Sequence, residues 1–411
     1  MAVRSVGAVA LGVLTAIGGF VDAGDLVTNA VVGSRFGLSL AWVVVLGVGG
    51  IVMYAHMAGK VAALSGRATF EVVRERLGPR AAVANLGASF LLTLLTLVAE
   101  IGGLALALSL LSGITHLAWI VLAGLGVWLV LWCVRFTLME DVAGLLGLLL
   151  VVFAVALVVL DPDWGELGRQ VVQGASHEGE TPATYAYYAV ALFGAAMTPY
   201  EVFFFSSGAS EERWGPSDLA TSRLNAGVGF PLGGLLSLAI AGCAGVVLMP
   251  GGVEVSTLGD VVLPVAQALG IAGLVVVLLG IAAATAGAAF ETALSCGYML
   301  AQFRGWPWGK RLRPVRAPQF HVTIAACVAA AVAVLATGVD PIMVTEAAVV
   351  FSAVALPLTY FPVLVVANDP QYVGEHTNGR VLNAVALGYL VVIVLAAVAA
   401  LPLMVATGMG A

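Results

Sequence analysis

The sequence predicts an all-α protein that crosses a membrane eleven times, as two inverted five-helix repeats followed by one extra helix. The first observation is composition: 61% of the 411 residues are hydrophobic and only 10% are charged, which leaves too little polar surface for a soluble domain. The second is the number of long apolar segments. The third is an interruption in both the first and the sixth of these segments.

Eleven segments are long enough to cross the hydrocarbon layer as helices. They cover residues 5–33, 39–64, 85–111, 117–134, 141–160, 184–209, 224–249, 262–300, 320–338, 342–367 and 381–408. We interpret the chain as a single transmembrane domain over 1–411, with a first repeat at 5–160, an inverted second repeat at 184–367 and an extra helix 11 at 381–408.

Basic residues in the connections predict the orientation. With a cytoplasmic N-terminus, fifteen of the seventeen lysines and arginines fall on the cytoplasmic side, and only Arg35 and Arg169 fall outside. The opposite orientation would leave two inside. Because cytoplasmic loops carry the excess of basic residues, the N-terminus is predicted to be cytoplasmic and, after eleven crossings, the C-terminus extracytoplasmic.

Two carboxylates interrupt the first segment, at Asp22-Ala23-Gly24-Asp25. Ionisable residues at membrane depth are costly and usually functional, and this segment has no basic residue in its core that could pair with them. The glycine between them indicates a locally unwound helix, which would free backbone carbonyls for a cation. Asp22 and Asp25 are therefore predicted to bind a positively charged ion.

The sixth segment is interrupted at Thr198-Pro199-Tyr200-Glu201. Pro199 removes a backbone donor in mid-span. The two interruptions are five helices apart, so they fall at corresponding positions of two halves that enter the membrane from opposite sides. Paired interruptions of this kind indicate the binding site of a secondary transporter.

The residues around both interruptions resemble the NRAMP family of divalent-metal transporters over nearly the whole chain. The first helix matches the family's D-P-G-N and G-S-[KR]-F-G at Asp22–Asp25 and Gly33–Gly37, and the sixth matches G-A-x-x-M-P-H-N at Gly194–Glu201. Ala99-Glu100 matches the A-E pair of helix 3. The resemblance implies a LeuT-like fold with broken helices 1 and 6, a metal site between the breaks, and the inner (plasma) membrane of a prokaryotic cell.

Departures from the family pattern point to one branch of it. The family's site asparagine is Asp25, its thioether methionine is Thr198 and its neighbouring histidine is Tyr200, while a second histidine is Phe205 and a helix-3 aspartate is Leu97. The soft ligand and several groups implicated in proton movement are thus missing, and a carboxylate is added. This pattern resembles the prokaryotic NRAMP-related magnesium transporters.

The donor chemistry agrees with that branch, because carboxylate, hydroxyl and carbonyl oxygens suit Mg²⁺ and Mn²⁺ better than softer metals. Thr198 in place of a longer side chain would leave room for water. The predicted metal ligands are Asp22, Asp25, Ala195 and Thr198. The residues expected near the site or the ion pathway are Ala23, Gly24, Tyr200, Glu201, Glu100 and Glu291.

Structural roles remain open for several of these residues. Thr198 could bond a backbone carbonyl, Tyr200 could serve in packing, and Glu201 could cap the broken helix. Glu100 and Glu291 could be structural hydrogen-bonding groups rather than parts of a pathway.

Other classes fit less well. An intramembrane aspartyl protease would place its two aspartates on different helices, and neither H-E-x-x-H nor G-x-S-x-G occurs. A transporter of organic substrates remains possible, since fold does not fix substrate. We expect a non-enzymatic carrier of Mg²⁺ and also Mn²⁺, without obligatory proton coupling; the alternative is a proton-coupled Mn²⁺/Fe²⁺ symporter. No cofactor, nucleic acid or obligate protein partner is expected, only divalent ions and membrane lipid.

Overall fold

The computed structural model describes residues 20–174 and 179–410, and every regular element among them is helical. The helices are α1 (Ala23–Phe36), α2 (Ala41–Ser65), α3 (Thr69–Ser112), α4 (His116–Cys133), α5 (Phe136–Gly147), α6 (Val152–Val159), α7 (Trp164–Gln173), α8 (Pro182–Ala196), α9 (Pro199–Glu211), α10 (Leu219–Leu224), α11 (Phe230–Val247), α12 (Leu258–Arg304), α13 (Pro318–Ala336), α14 (Pro341–Val366), α15 (Pro370–Val373) and α16 (Arg380–Ala406). A 3₁₀ turn joins α5 to α6, and a π turn joins α10 to α11.

Ten stretches of the described residues are long and apolar enough to cross a membrane. Each overlaps one of the last ten predicted segments, so the predicted all-α membrane fold is confirmed. The first predicted segment, 5–33, lies partly outside the described residues, and α1 is its second part. The described residues thus contain ten of the eleven predicted spans.

Both predicted interruptions are present. Val21 and Asp22 are not helical, and Asp22 has extended backbone where α1 begins. Met197 and Thr198 separate α8 from α9, again with non-helical backbone, and α9 then starts at Pro199. Proline at this first helical position lacks only an N–H that would have no partner within the helix.

Two glycines bend long helices at positions where the sequence analysis predicted no bend. Gly78 (φ 79°) lies inside α3, so a short helix from Thr69 precedes the span that was predicted to begin at residue 85. Gly270 (φ 64°) divides α12 in the same way. Only glycine adopts such positive φ values at little cost. Apolar composition continues through the bend at Gly270, whereas charged residues flank Gly78.

The broken helices lie at the centre of the bundle. Within the span Pro182–Glu211, 83% of the most apolar stretch is buried, compared with 22% for α16. Gly33 allows α1 to approach α11 closely, because a Cβ there would lie 2.2 Å from the carbonyl oxygen of Ala241. Gly194 does the same for α8 and α14, where a Cβ would lie 2.6 Å from the carbonyl oxygen of Val349.

Candidate functional site

Asp22 starts α1 and directs its carboxylate into the protein. It is 2% exposed, and its Oδ1 accepts a hydrogen bond from the backbone N–H of Asp25 at 2.8 Å. This is an N-cap, and the positive end of the helix dipole favours negative charge there. Its Oδ2 accepts the hydroxyl of Tyr200 at 3.0 Å. One carboxylate therefore joins the two broken helices.

The break between α8 and α9 supplies neutral oxygens opposite Asp22. The last carbonyls of a helix have no partner within the helix, and here Gly194 accepts the hydroxyl of Ser352 at 3.0 Å. Ala195 follows in the same turn. Thr198 is the N-cap of α9, but its side chain makes no capping hydrogen bond, so its hydroxyl is not committed to that role.

A small cavity of about 20 Å³ lies between the two breaks. Its lining residues are Asp22, Gly24, Thr96, Ala99, Glu100, Gly194, Ala195, Thr198, Thr345, Ala348, Val349 and Ser352. The functional groups on their side chains are all carboxylates and hydroxyls. The volume accommodates about one or two water molecules, so in this conformation the cavity has room for one small ion together with about one water molecule.

Three of the four predicted metal ligands, Asp22, Ala195 and Thr198, line this cavity, whereas Asp25 does not. The Asp25 carboxylate accepts a hydrogen bond from the Asn29 amide at 2.9 Å and another from the hydroxyl of Ser237 on α11. It is 1% exposed. Asp25 therefore lies outside the lining of the cavity, and its two carboxylate oxygens are bonded to Asn29 of its own helix and to Ser237 of α11.

Glu100 binds the start of α1. Both of its carboxylate oxygens accept the backbone N–H of Ala23, at 3.1 and 3.2 Å. Glu100 also lines the cavity and is completely buried. It therefore holds the unwound end of α1 in place on α3 and places a second carboxyl group beside the cavity that Asp22 lines.

The remaining predicted residues surround Asp22 from α9 and α12. Glu201 on α9 and Glu291 on α12 are both buried, at 5% and 8% exposed. In the described part of the chain, Oε2 of Glu201 is buried without a hydrogen-bond partner. No three histidine, cysteine, aspartate or glutamate side chains are grouped to hold a metal among residues 20–174 and 179–410. A bound ion would therefore depend on hydroxyls, carbonyls and water as well as carboxylates.

Sequence reasoning missed the hydroxyls that complete the cavity. Thr96 on α3, and Thr345 and Ser352 on α14, line it. Thr96 lies four residues before Glu100, which places the two side chains on one helix face. That spacing was available in the sequence, but buried threonines and serines are common in membrane helices because they bond their own backbone.

Comparisons with known proteins agree with this architecture. The family model described as natural resistance-associated macrophage protein-like matches residues 12–402. Divalent metal cation transporters MntH of Aeromonas hydrophila and Agrobacterium fabrum are each 26% identical, over 89% and 94% of this chain and 88% and 84% of theirs.

Solved structures show the same fold. A manganese transporter of Eremococcus coleocola superposes with a TM-score of 0.70 at 20% identity, over 95% of this chain and 85% of that one. Mhp1, a nucleobase-cation-symport-1 family transporter, superposes with a TM-score of 0.64 at 15% identity, over 96% and 91% of the two chains.

Proposed function

Because the chain belongs to the natural resistance-associated macrophage protein (Nramp) family, we propose that it carries divalent cations, chiefly Mg²⁺ and also Mn²⁺, into the cytoplasm. The site we propose lies between the breaks at Asp22 and Thr198, with Asp22, Thr198 and the Ala195 carbonyl as ligands. Asp25, three residues after Asp22, lies beside the site without lining the cavity. Access would alternate between the two sides of the membrane by relative movement of the two repeats.

The oxygen-only lining of the cavity is the observation that carries this proposal. Mg²⁺ binds oxygen ligands and takes one or two carboxylates, whereas thioethers select softer metals. Met197 is adjacent to the break, but its sulfur lies beside α2: a Cβ at Gly50 would be 2.6 Å from it. Met197 is not among the residues that line the cavity.

A proton-coupled Mn²⁺/Fe²⁺ symporter is the second candidate. Two observations favour this candidate. The proteins similar to this chain are named as manganese or divalent-metal transporters, and the chain has the buried carboxyl groups Glu100, Glu201 and Glu291. Against it, the positions of the family histidines hold Tyr200 and Phe205. Tyr200 donates to Asp22, and the ring of Phe205 packs edge-on against Trp214.

The membrane potential is sufficient to drive uptake without protons. Each charge that crosses gains about 2.3 kcal/mol per 100 mV, so a divalent ion gains about twice that. Since about 1.4 kcal/mol corresponds to a factor of ten, a potential of this size supports more than about a thousandfold accumulation.

We therefore expect divalent-cation uptake without obligatory proton movement. In proteoliposomes that contain a pH-sensitive dye, Mn²⁺ or Mg²⁺ uptake at a fixed inside-negative potential should leave the internal pH unchanged. A sample with added protonophore, in which protons enter along the same potential, shows that the dye responds to internal acidification. Acidification in constant proportion to the metal taken up would instead support the symporter.

We propose that the N-terminus is cytoplasmic. Three basic regions, at 60–80, at 135 and at 304–316, lie at one end of the bundle. The first is joined to the third because Arg74 donates to the carbonyl of Phe303. The third is joined to the second because Lys310 donates to the carbonyl of Val134 at 2.7 Å. Their common location supports a cytoplasmic face for all three, because cytoplasmic loops are enriched in basic residues.

Cysteine labelling tests this orientation. In a variant whose four native cysteines are replaced by alanine, Val315→Cys should react with a membrane-impermeant reagent only from the cytoplasmic side. Val172→Cys, on α7, is the matched control and should react only from outside, since both valines are strongly exposed (90% and 84%). Reaction of Val315→Cys from outside would reverse the topology.

A further inference from the structure

A second, larger cavity lies on the outer surface of the bundle, and none of its lining residues lines the candidate metal site. It has a volume of about 550 Å³ and lies between α14, α16 and the first part of α3. Leu387 and Leu390 line this cavity and also a neighbouring one of about 300 Å³ that continues along α16. The two cavities therefore form one continuous groove, within the size range of small-molecule binding sites.

One end of the groove is polar and lies where spans end. Its polar residues are Arg76, Asn368, Asp369 and Asn383. Asp369 comes three residues after the end of α14, and Asn383 is in the first turn of α16. The ends of spanning helices lie at head-group depth, so this end of the groove faces the head groups of the bilayer.

The other end is entirely apolar. The neighbouring cavity is lined by Leu387, Leu390, Val391, Val394 and Leu395. From Asn383 to Leu395 the helix rises about 18 Å at 1.5 Å per residue, which is about the depth of one leaflet of a bilayer. The groove thus has the length and polarity of one phospholipid molecule.

The polar end carries one cation and one anion. Nε of Arg76 donates to Oδ2 of Asp369, and this is the only hydrogen bond of Arg76 to the described part of the chain. Its side chain is 48% exposed, so its terminal nitrogens can still donate. The pKa of Asp369 is lowered, first by the backbone N–H of Gln371 and then by Arg76, which keeps this carboxylate ionised.

The amides beside this ion pair are fixed in position. Asn368 and Asn383 exchange two hydrogen bonds of 2.9 Å. Their pairing connects the end of α14 to the start of α16 and shapes the floor of the groove. The charged groups above it can therefore meet a ligand without reorganisation of the backbone.

We propose that this groove binds one phospholipid whose head group carries a phosphate and a primary ammonium, as in phosphatidylethanolamine. The phosphate accepts from Arg76, and the ammonium donates to Asp369 and to Oδ1 of Asn368. One acyl chain lies along Leu387 and Val394. A choline head group has no N–H to donate, and a glycerol head group has no cation for Asp369.

Native mass spectrometry of the purified full chain tests this assignment. Dioleoyl-phosphatidylethanolamine, -phosphatidylcholine and -phosphatidylglycerol are added separately at equal concentrations. We expect one ethanolamine lipid to be retained about fivefold more tightly than either of the others, as a single charged contact at a membrane surface would give. Equal retention of the three lipids, or preference for the glycerol lipid, would contradict the proposal.

Paired variants locate the site. Arg76→Gln should lower retention of the ethanolamine lipid about fivefold, whereas Arg80→Gln, an exposed arginine of α3 outside both cavities, should not change it. Leu390→Trp should fill the groove and remove the bound lipid, whereas Val385→Trp, outside the groove on the same helix, should not. If the two variants of each pair retained the ethanolamine lipid equally well, the assignment would be overturned.

Discussion

Asp22→Ala should lower Mg²⁺ and Mn²⁺ uptake by about a hundredfold or more. Loss of a group that merely orients a metal ligand typically costs 10–100-fold, and Asp22 is placed to be a ligand itself. Its carboxylate bonds to both broken helices, through the N–H of Asp25 and the hydroxyl of Tyr200. Radiolabelled or dye-reported uptake into proteoliposomes measures the effect.

A matched control separates the charge from the helix cap. Asp340 caps α14 as Asp22 caps α1, because its carboxylate accepts the backbone N–H of Ile342 at 3.0 Å. Both alanine variants lose an N-cap worth about 1 kcal/mol, so both should fold, with small decreases in melting temperature. Asp340→Ala should retain uptake. Normal uptake by folded Asp22→Ala would show that the site lies elsewhere.

Thr198→Met should shift selectivity from Mg²⁺ towards Cd²⁺ by at least about tenfold. The substitution replaces a small hydroxyl at the break with a thioether, and soft sulfur ligands favour soft metals. The added volume also removes space for water in a cavity of about 20 Å³, which disfavours an ion that dehydrates reluctantly. Combination with Asp25→Asn should increase the shift. Competition of Cd²⁺ against Mg²⁺ uptake gives the ratio.

Thr345→Met is the control for volume alone. Thr345 lines the same cavity from α14, but its hydroxyl donates to the carbonyl of Pro341 at 2.8 Å and it is not at a helix break. Methionine there should slow transport without a preference for Cd²⁺. The same selectivity shift in both variants would mean that cavity size, not the sulfur ligand at position 198, decides between the metals.

The fold could be predicted closely because each membrane-spanning helix is visible in the local sequence as a long apolar segment. Apolar length identified the ten described spans, and Gly24 and Pro199 marked the two breaks within a few residues. The bend at Gly270 was missed because a glycine in an apolar run is equally compatible with a straight helix. The short helix before Gly78 was missed because its charged residues were assigned to a connection between spans.

The site could be predicted only in part. Asp22, Ala195 and Thr198 follow from the breaks, since an unwound backbone and its flanking side chains point into the space between them. The direction of Asp25 did not follow, because its partner Ser237 is 212 residues away in the chain. The contact of Glu100 with the Ala23 N–H also joins distant segments. Such pairings depend on how the helices pack, which local sequence patterns do not specify.

Direct measurement of Mg²⁺ uptake tests the central claim, that an oxygen-only site between the two breaks carries Mg²⁺. Proteoliposomes with an internal Mg²⁺ indicator are held at an inside-negative potential of about 100 mV, and Mg²⁺ is added outside with and without competing Mn²⁺. We expect potential-driven Mg²⁺ uptake that Mn²⁺ inhibits and that Asp22→Ala abolishes. Liposomes that take up Mn²⁺ but no Mg²⁺ under the same conditions would contradict the account.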